Sequence, residues 1–239
     1  MDRRTFLAGA GAAAAVGLAG CLDSVFGGSP GATDDVVLDE PEYYDDPRES
    51  LEETDFQHPP IHADELPEAT VPDALSGREI STREYVGDRH VVLTFIFARC
   101  TMVCPGLTAA LAQVQANALE EGYADELAFM PMTFDPGHDE PDVLESFSED
   151  VGAVPEEEGW HFLRPESEQR AQTVVQDRFG VLFDWVPEEE REMENMAYTH
   201  TSTIILANAD GYVERGYAGD AVPNGAGLLD DIETLRDRW

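Results

Sequence analysis

Val91-Val92-Leu93-Thr94-Phe95-Ile96-Phe97-Ala98-Arg99-Cys100-Thr101-Met102-Val103-Cys104-Pro105 is the stretch on which the reading of this chain turns. Its first seven residues are an almost unbroken apolar run, rich in β-branched and aromatic side chains. A run of that length and composition predicts a central strand buried on both faces. It stops at Ala98-Arg99, and two cysteines follow at an i, i+4 spacing. Pro105 suits the first turn of a helix, where its missing N–H would have had no partner anyway. Leu107, Leu111, Val114 and Ala118 then recur at helical spacing. The thiols therefore sit where a buried strand hands over to a helix. Free N–H groups and the positive end of the helix dipole stabilise thiolates at such a place.

Outward from this point the chain alternates. Before it, Ser76-Gly77 marks a turn between two short extended pieces within 74–80. After it, Leu127 to Phe134 reads as a second buried strand, Pro141 to Val151 as a helix and Trp160 to Leu163 as a short strand. Glu166 to Phe179 reads as an amphipathic helix stopped by Gly180, with Val181 to Trp185 extended. Thr201 to Ala207 and Tyr212 to Tyr217 make a β-hairpin across Asn208-Ala209-Asp210-Gly211. Gly227 to Trp239 closes the chain as a helix. Strand–helix–strand alternation followed by a hairpin and a helix predicts an α/β fold, a thioredoxin-like three-layer sandwich with an N-terminal β extension, over residues 67–239.

The N-terminal part reads differently. Arg3-Arg4 precede a short run of small apolar residues from Phe6 to Gly20, and Leu18-Ala19-Gly20 precede Cys21. A twin arginine before a short apolar stretch is an export signal for folded cargo. The stretch is too short and too rich in small residues for a comfortable membrane span. Leu-Ala-Gly-Cys resembles a lipobox, so residues 1–20 are expected to be cleaved and Cys21 to carry lipid. That places the protein on the outer face of the cell membrane. Residues 21–66, rich in Gly, Pro, Asp and Glu, read as a flexible acidic tether, with His58 and His62 as surface histidines at its end.

The 239-residue chain has 50 acidic residues against 14 basic ones, a net charge of −36, and every base is arginine. Self-repulsion on that scale is screened where salt is molar and the Debye length is ~3 Å. A salt-saturated habitat is the expectation, and nucleic acid is a poor partner for such a surface.

With Cys21 used by lipid, Cys100 and Cys104 remain for chemistry. At a helix entry they can bond each other, as a structural or a redox disulfide, or hold one metal. Thiolates are soft ligands that select Cu(I) or Zn(II). Two thiolates seldom complete a site, so a third ligand is wanted. Of six histidines, His58, His62, His90, His138 and His161 precede the hairpin region. His200 lies just before the hairpin strand, and in a thioredoxin-like fold that loop sits beside the cysteine-bearing helix start. His200 is therefore the best-placed third ligand.

These features together resemble the Sco/SenC family of copper chaperones for cytochrome c oxidase. The likeness covers about 75–239. It is carried by Ser76-Gly77-Arg78-Glu79-Ile80, by 87–97 leading into Cys100-x-x-x-Cys104-Pro105, by Thr133 to Pro141 around Asp135-Pro136, and by Thr199-His200-Thr201-Ser202 with Ile204-Ile205-Leu206 and Asp210-Gly211. The resemblance implies a copper site of Cys100, Cys104 and His200. It also implies copper delivery to the binuclear copper centre of the oxidase, whose copper-bearing subunit would be the partner, or reduction of that centre's cysteines. The family usually has Pro-Asp-Val or Pro-Asp-Ile between its cysteines, where this chain has Thr101-Met102-Val103. Met102, Met193 and Met196 add thioethers near the motif residues, as soft donors or as packing. Asp135 is read as a hydrogen-bond acceptor just outside the ligands, or as a strand-end turn residue.

Two other functions compete. Cys100 and Cys104 can serve a thiol–disulfide oxidoreductase, and Arg99 beside Cys100 is a weak sign of a peroxiredoxin-like peroxidase. The spacing is Cys-x-x-x-Cys rather than the Cys-x-x-Cys usual for thiol oxidoreductases. No proline lies between Pro187 and Pro223, where thioredoxins place one opposite their cysteines. Both features favour the metal-binding reading.

Overall fold

The computed structural model describes residues 35–41, 58–155, 159–191, 196–219 and 222–238. The twin arginine, the apolar signal stretch, Cys21, much of the acidic segment and Met193 lie outside the described residues. The strands are β1 (Thr70–Pro72), β2 (Glu79–Ser81), β3 (His90–Ile96), β4 (Leu127–Thr133), β5 (Phe183–Trp185), β6 (Tyr198–His200), β7 (Thr203–Ala207) and β8 (Val213–Ala218). The helices are α1 (Cys104–Glu121), α2 (Pro141–Val151), α3 (Glu168–Ala171) and α4 (Gly225–Arg238).

The apolar run becomes β3, buried along its whole length. It pairs parallel with β4 on one side and antiparallel with β7 on the other, and β7 pairs antiparallel with β8. The order β4-β3-β7-β8 is a mixed sheet with β3 inside. Its continuous hydrophobicity follows, since helices cover it: α1 packs on β3 and β4 with α4 and α2 against it, and the Phe179 ring meets Phe95 at 5.2 Å. This is the thioredoxin-like α/β class that the sequence predicts.

Helix α1 starts and stops where its residues require. Pro105 occupies the first turn, and Gly122, at φ 79°, ends the helix with its N–H donating to the Ala118 carbonyl. Leu107, Leu111, Val114 and Ala118 are all buried, so the stripe read from the sequence faces the core. The N-terminal β extension is the β1–β2 hairpin, turned by Asp73, whose carboxylate accepts from the Leu75 N–H and the Ser76 hydroxyl.

The short strand expected over 160–163 makes only isolated bridges, such as those of Trp160 with Phe129 and Leu163 with Met132, and three further expectations need correction. The first is the tether. Segments 58–66 and 35–41, read as flexible, are packed into the domain. Ala63 N–H donates to Val213 O and Leu66 N–H to Gly211 O, each at 2.8 Å, so this stretch covers the open edge at the start of β8. His62, read as a surface residue, is buried and reaches the Leu38 carbonyl at 2.8 Å. Leu38 is buried too, and the backbone N–H groups of Val37 and Leu38 donate to the fully buried Glu214 carboxylate. Acid-rich composition concealed two apolar anchors and a carboxylate that gathers backbone donors. Second, the helix over 166–179 is α-helical only in α3 and passes into a π-helical stretch, Gln172–Gln176. Third, His200 lies on a strand of its own, β6, paired antiparallel with β5. Among the described residues no helix is long and apolar enough to cross a membrane.

Candidate metal centre

The end of β3 delivers the chain into the bend 98–103, and Cys100 is tied back by its N–H to the Phe97 carbonyl at 3.1 Å. Cys104 opens α1. Both cysteines are free thiols, Cys104 fully buried and Cys100 8% exposed. Cys104 Sγ lies 3.6 Å from His200 Nε2. The other imidazole nitrogen, Nδ1, is 3.3 Å from the Thr201 carbonyl. With its proton on Nε2 the ring donates to the thiols; with the proton on Nδ1, donated to that carbonyl, the Nε2 lone pair is free for a metal.

The two thiols are electrostatically unequal. The hydrogen bond from Cys104 holds the Cys100 thiol down to about 3 against the opposing effect of burial, with further help from His200 and from the backbone N–H groups of Cys104 and Met102. The Cys104 thiol is pushed the other way, by its bond to Cys100 and by burial. One proton is thus held between a Cys100 thiolate and a Cys104 thiol. A soft cation entering here would meet one thiolate and displace a single proton.

Aromatic rings wall the histidine. Phe97 meets the His200 ring edge-on at 5.8 Å, and Phe134 lies 5.1 Å from it. Tyr198, two residues before His200, packs on both phenylalanines at 5.4 Å. β5 adds Phe183 against Phe134 at 4.8 Å. The β5–β6 pair, for which the sequence held no periodic signal, is what fixes the height of His200 over the helix start.

Asp135 is buried at the end of β4, but it touches none of Cys100, Cys104 or His200. It binds the Arg99 guanidinium, at 2.7 Å from Nη2 and 3.0 Å from Nε, and accepts from the Tyr198 hydroxyl at 3.1 Å. One carboxylate thereby joins the neighbour of Cys100 to a residue two before His200. Arg99 is held by Asp135 and lies over the Trp185 ring, 5.4 Å from its centre. Asp139 is a residue that sequence reading missed. It is fully buried, accepts from the Ala98 N–H at 3.0 Å and from the Thr133 hydroxyl, and so pins the bend to β4. Burial pushes its carboxyl up. His138 stays largely at the surface, its Nδ1 3.2 Å from Asp139. The ligand-type atoms of Asp135, His138 and Asp139 converge within 4.8 Å, yet both carboxylates are already committed to the partners just named. Met196 is half-buried, and Met102 is exposed.

A thioredoxin-like fold that sets two unequal thiols at a helix entry, with an imidazole from the neighbouring β5–β6 pair, defines a soft-metal or dithiol protein. The sequence model of the SCO1/SenC family matches residues 74–235, and the chain belongs to that family. Three solved structures resemble it. A SCO1/SenC family lipoprotein from Bacillus anthracis is 24% identical with a TM-score of 0.58, covering 76% of this chain and 99% of its own. BsSco, a member of the Sco family of cytochrome c oxidase assembly proteins with a disulfide switch, is 21% identical with a TM-score of 0.54, covering 77% and 99%. Yeast Sco1 with copper bound is 18% identical with a TM-score of 0.57, covering 74% and 91%.

Proposed function

We propose that this protein is a copper chaperone that holds one copper ion as cargo between Cys100, Cys104 and His200. It would deliver that ion to the binuclear copper centre of cytochrome c oxidase. The observation that carries the reading is the 3.6 Å approach of His200 Nε2 to Cys104 Sγ, beside a polarised Cys100 thiolate. Two thiolates and an imidazole make a soft three-ligand set that suits Cu(I). Yeast Sco1, of the same family and fold, has been solved with copper. BsSco supplies the link to oxidase assembly. Asp135 is a positioning residue in this account, acting through Arg99 and Tyr198. Lipidation of Cys21 would hold the protein at the outer face of the membrane, in keeping with the lipoprotein relative.

A second reading, thiol–disulfide exchange with the oxidase cysteines, draws on the unequal thiols. A thiolate beside a protonated partner is the starting state for such exchange. One experiment separates the two: isolate the protein from membranes without added metal, then measure copper content, thiol state and intact mass. The chaperone reading expects about one copper per chain, two reduced thiols and a lipid on Cys21. Metal-free protein with a Cys100–Cys104 disulfide would replace it by the exchange reading, and an unlipidated chain would remove the anchor.

A further inference from the structure

We propose that Met102 is the entry ligand through which Cu(I) reaches the thiol pair. The proposal rests on the copper reading above. Met130 and Met132 are fully buried in β4 and act as core. Met102 is 59% exposed. Most of its apolar surface stays in water, so core packing does not account for the residue. Met102 sits between the two cysteines in the sequence. Its side chain and His200 line one groove of about 670 Å³, floored by Leu107 and flanked by Pro223. The thiols lie deeper, at 8% and 0% exposure. Met102 and His200 thus offer a thioether and an imidazole on a solvent-facing groove, while the cysteines are buried.

A neutral thioether is suited to that position. It is soft and polarisable, so it takes Cu(I) and discriminates against hard cations, and having no charge it releases its ion to a stronger donor. The hand-over is ligand exchange. The Cu–S bond to Met102 breaks as the Cu–S bond to Cys104 forms, and the Cys104 proton passes to solvent. Copper remains Cu(I), and nothing is oxidised or reduced. Delivery runs through the same steps in reverse.

The test is stopped-flow capture of Cu(I) from a small chelate by the mature protein and its Met102→Leu variant, with equilibrium affinities measured against the same chelator. Leucine keeps the volume and apolar character and removes only the sulfur. The expected result is a capture rate about tenfold lower, or more, with affinity held within about twofold, since a tenfold rate change needs only ~1.4 kcal/mol in the barrier. Equal capture rates overturn the proposal; because the donor is a small molecule, a Met102 that merely docks a protein partner gives this result. A fall in affinity as large as the fall in rate also overturns it, by making Met102 a resident ligand. Failure of the wild-type protein to bind Cu(I) in the same titration would instead remove the copper reading itself.

Discussion

Cys104 and His200 stand 96 positions apart in the sequence and 3.6 Å apart in the fold. Both were legible because thiols and imidazoles are scarce in this chain and sit at punctuated places, a helix entry and a strand start. Asp135 was legible as a polar residue at a strand end, but its partners were not. Nothing in the order of residues says that Arg99 and Tyr198 meet on one carboxylate. His90 carries a residue-scale consequence of burial. Its Nδ1 accepts the Ala209 N–H at 3.1 Å, and burial lowers its pKa from 6.5 to about 4. Between those values the unfolded chain binds a proton that the folded chain refuses. Stability is therefore complete above about pH 6.5 and falls as the pH drops toward 4, by up to about 3 kcal/mol from this group. Urea unfolding at pH 7 and 4.5, at fixed high salt, should show a smaller loss in His90→Gln than in the wild type. Equal losses would mean that His90 does not carry the effect.

At the scale of elements, the parts with strong periodic or punctuation signals came through: β3, β4, α1 between Pro105 and Gly122, and α2. Those fixed by tertiary packing did not. Extended structure was legible over 181–185, where β5 lies, but β6 has too few residues to show alternation, and the π-helical stretch after α3 leaves its apolar positions looking helical. The end of the supposed tether was hidden because its anchors are backbone hydrogen bonds, which leave no trace in composition. Gly180 reports on that contact. It has φ +63°, and a Cβ there would lie 2.1 Å from the His58 carbonyl oxygen. Gly180→Ala must therefore strain the backbone and expel the 58–66 segment. A loss of about 2 kcal/mol or more in urea unfolding is expected, with faster proteolysis within 58–66. An unchanged midpoint and cleavage pattern would show that this segment does not belong to the cooperative unit.

For the whole molecule, the sheet order, the covered β8 edge and the helix start combine to hold two thiols and one imidazole at a single place, while a charge of −36 is spread over the chain. That charge stands apart from the site, where the two thiols are buried, His200 is half-buried and uncharged groups line the neighbouring groove. The fold class could be read from the sequence because one run, 91–105, carries both the central strand and the site. His200 could be named from the sequence as the third ligand, but not the strand β6 and its pairing with β5 that hold it there. The central claim is that His200 completes a three-ligand copper site with Cys100 and Cys104. Competition of wild type and His200→Ala against a Cu(I) chelator tests it most directly. The account predicts an affinity loss of about 100-fold or more in the variant, with its unfolding midpoint close to that of the wild type; equal copper affinity in the two proteins would contradict it.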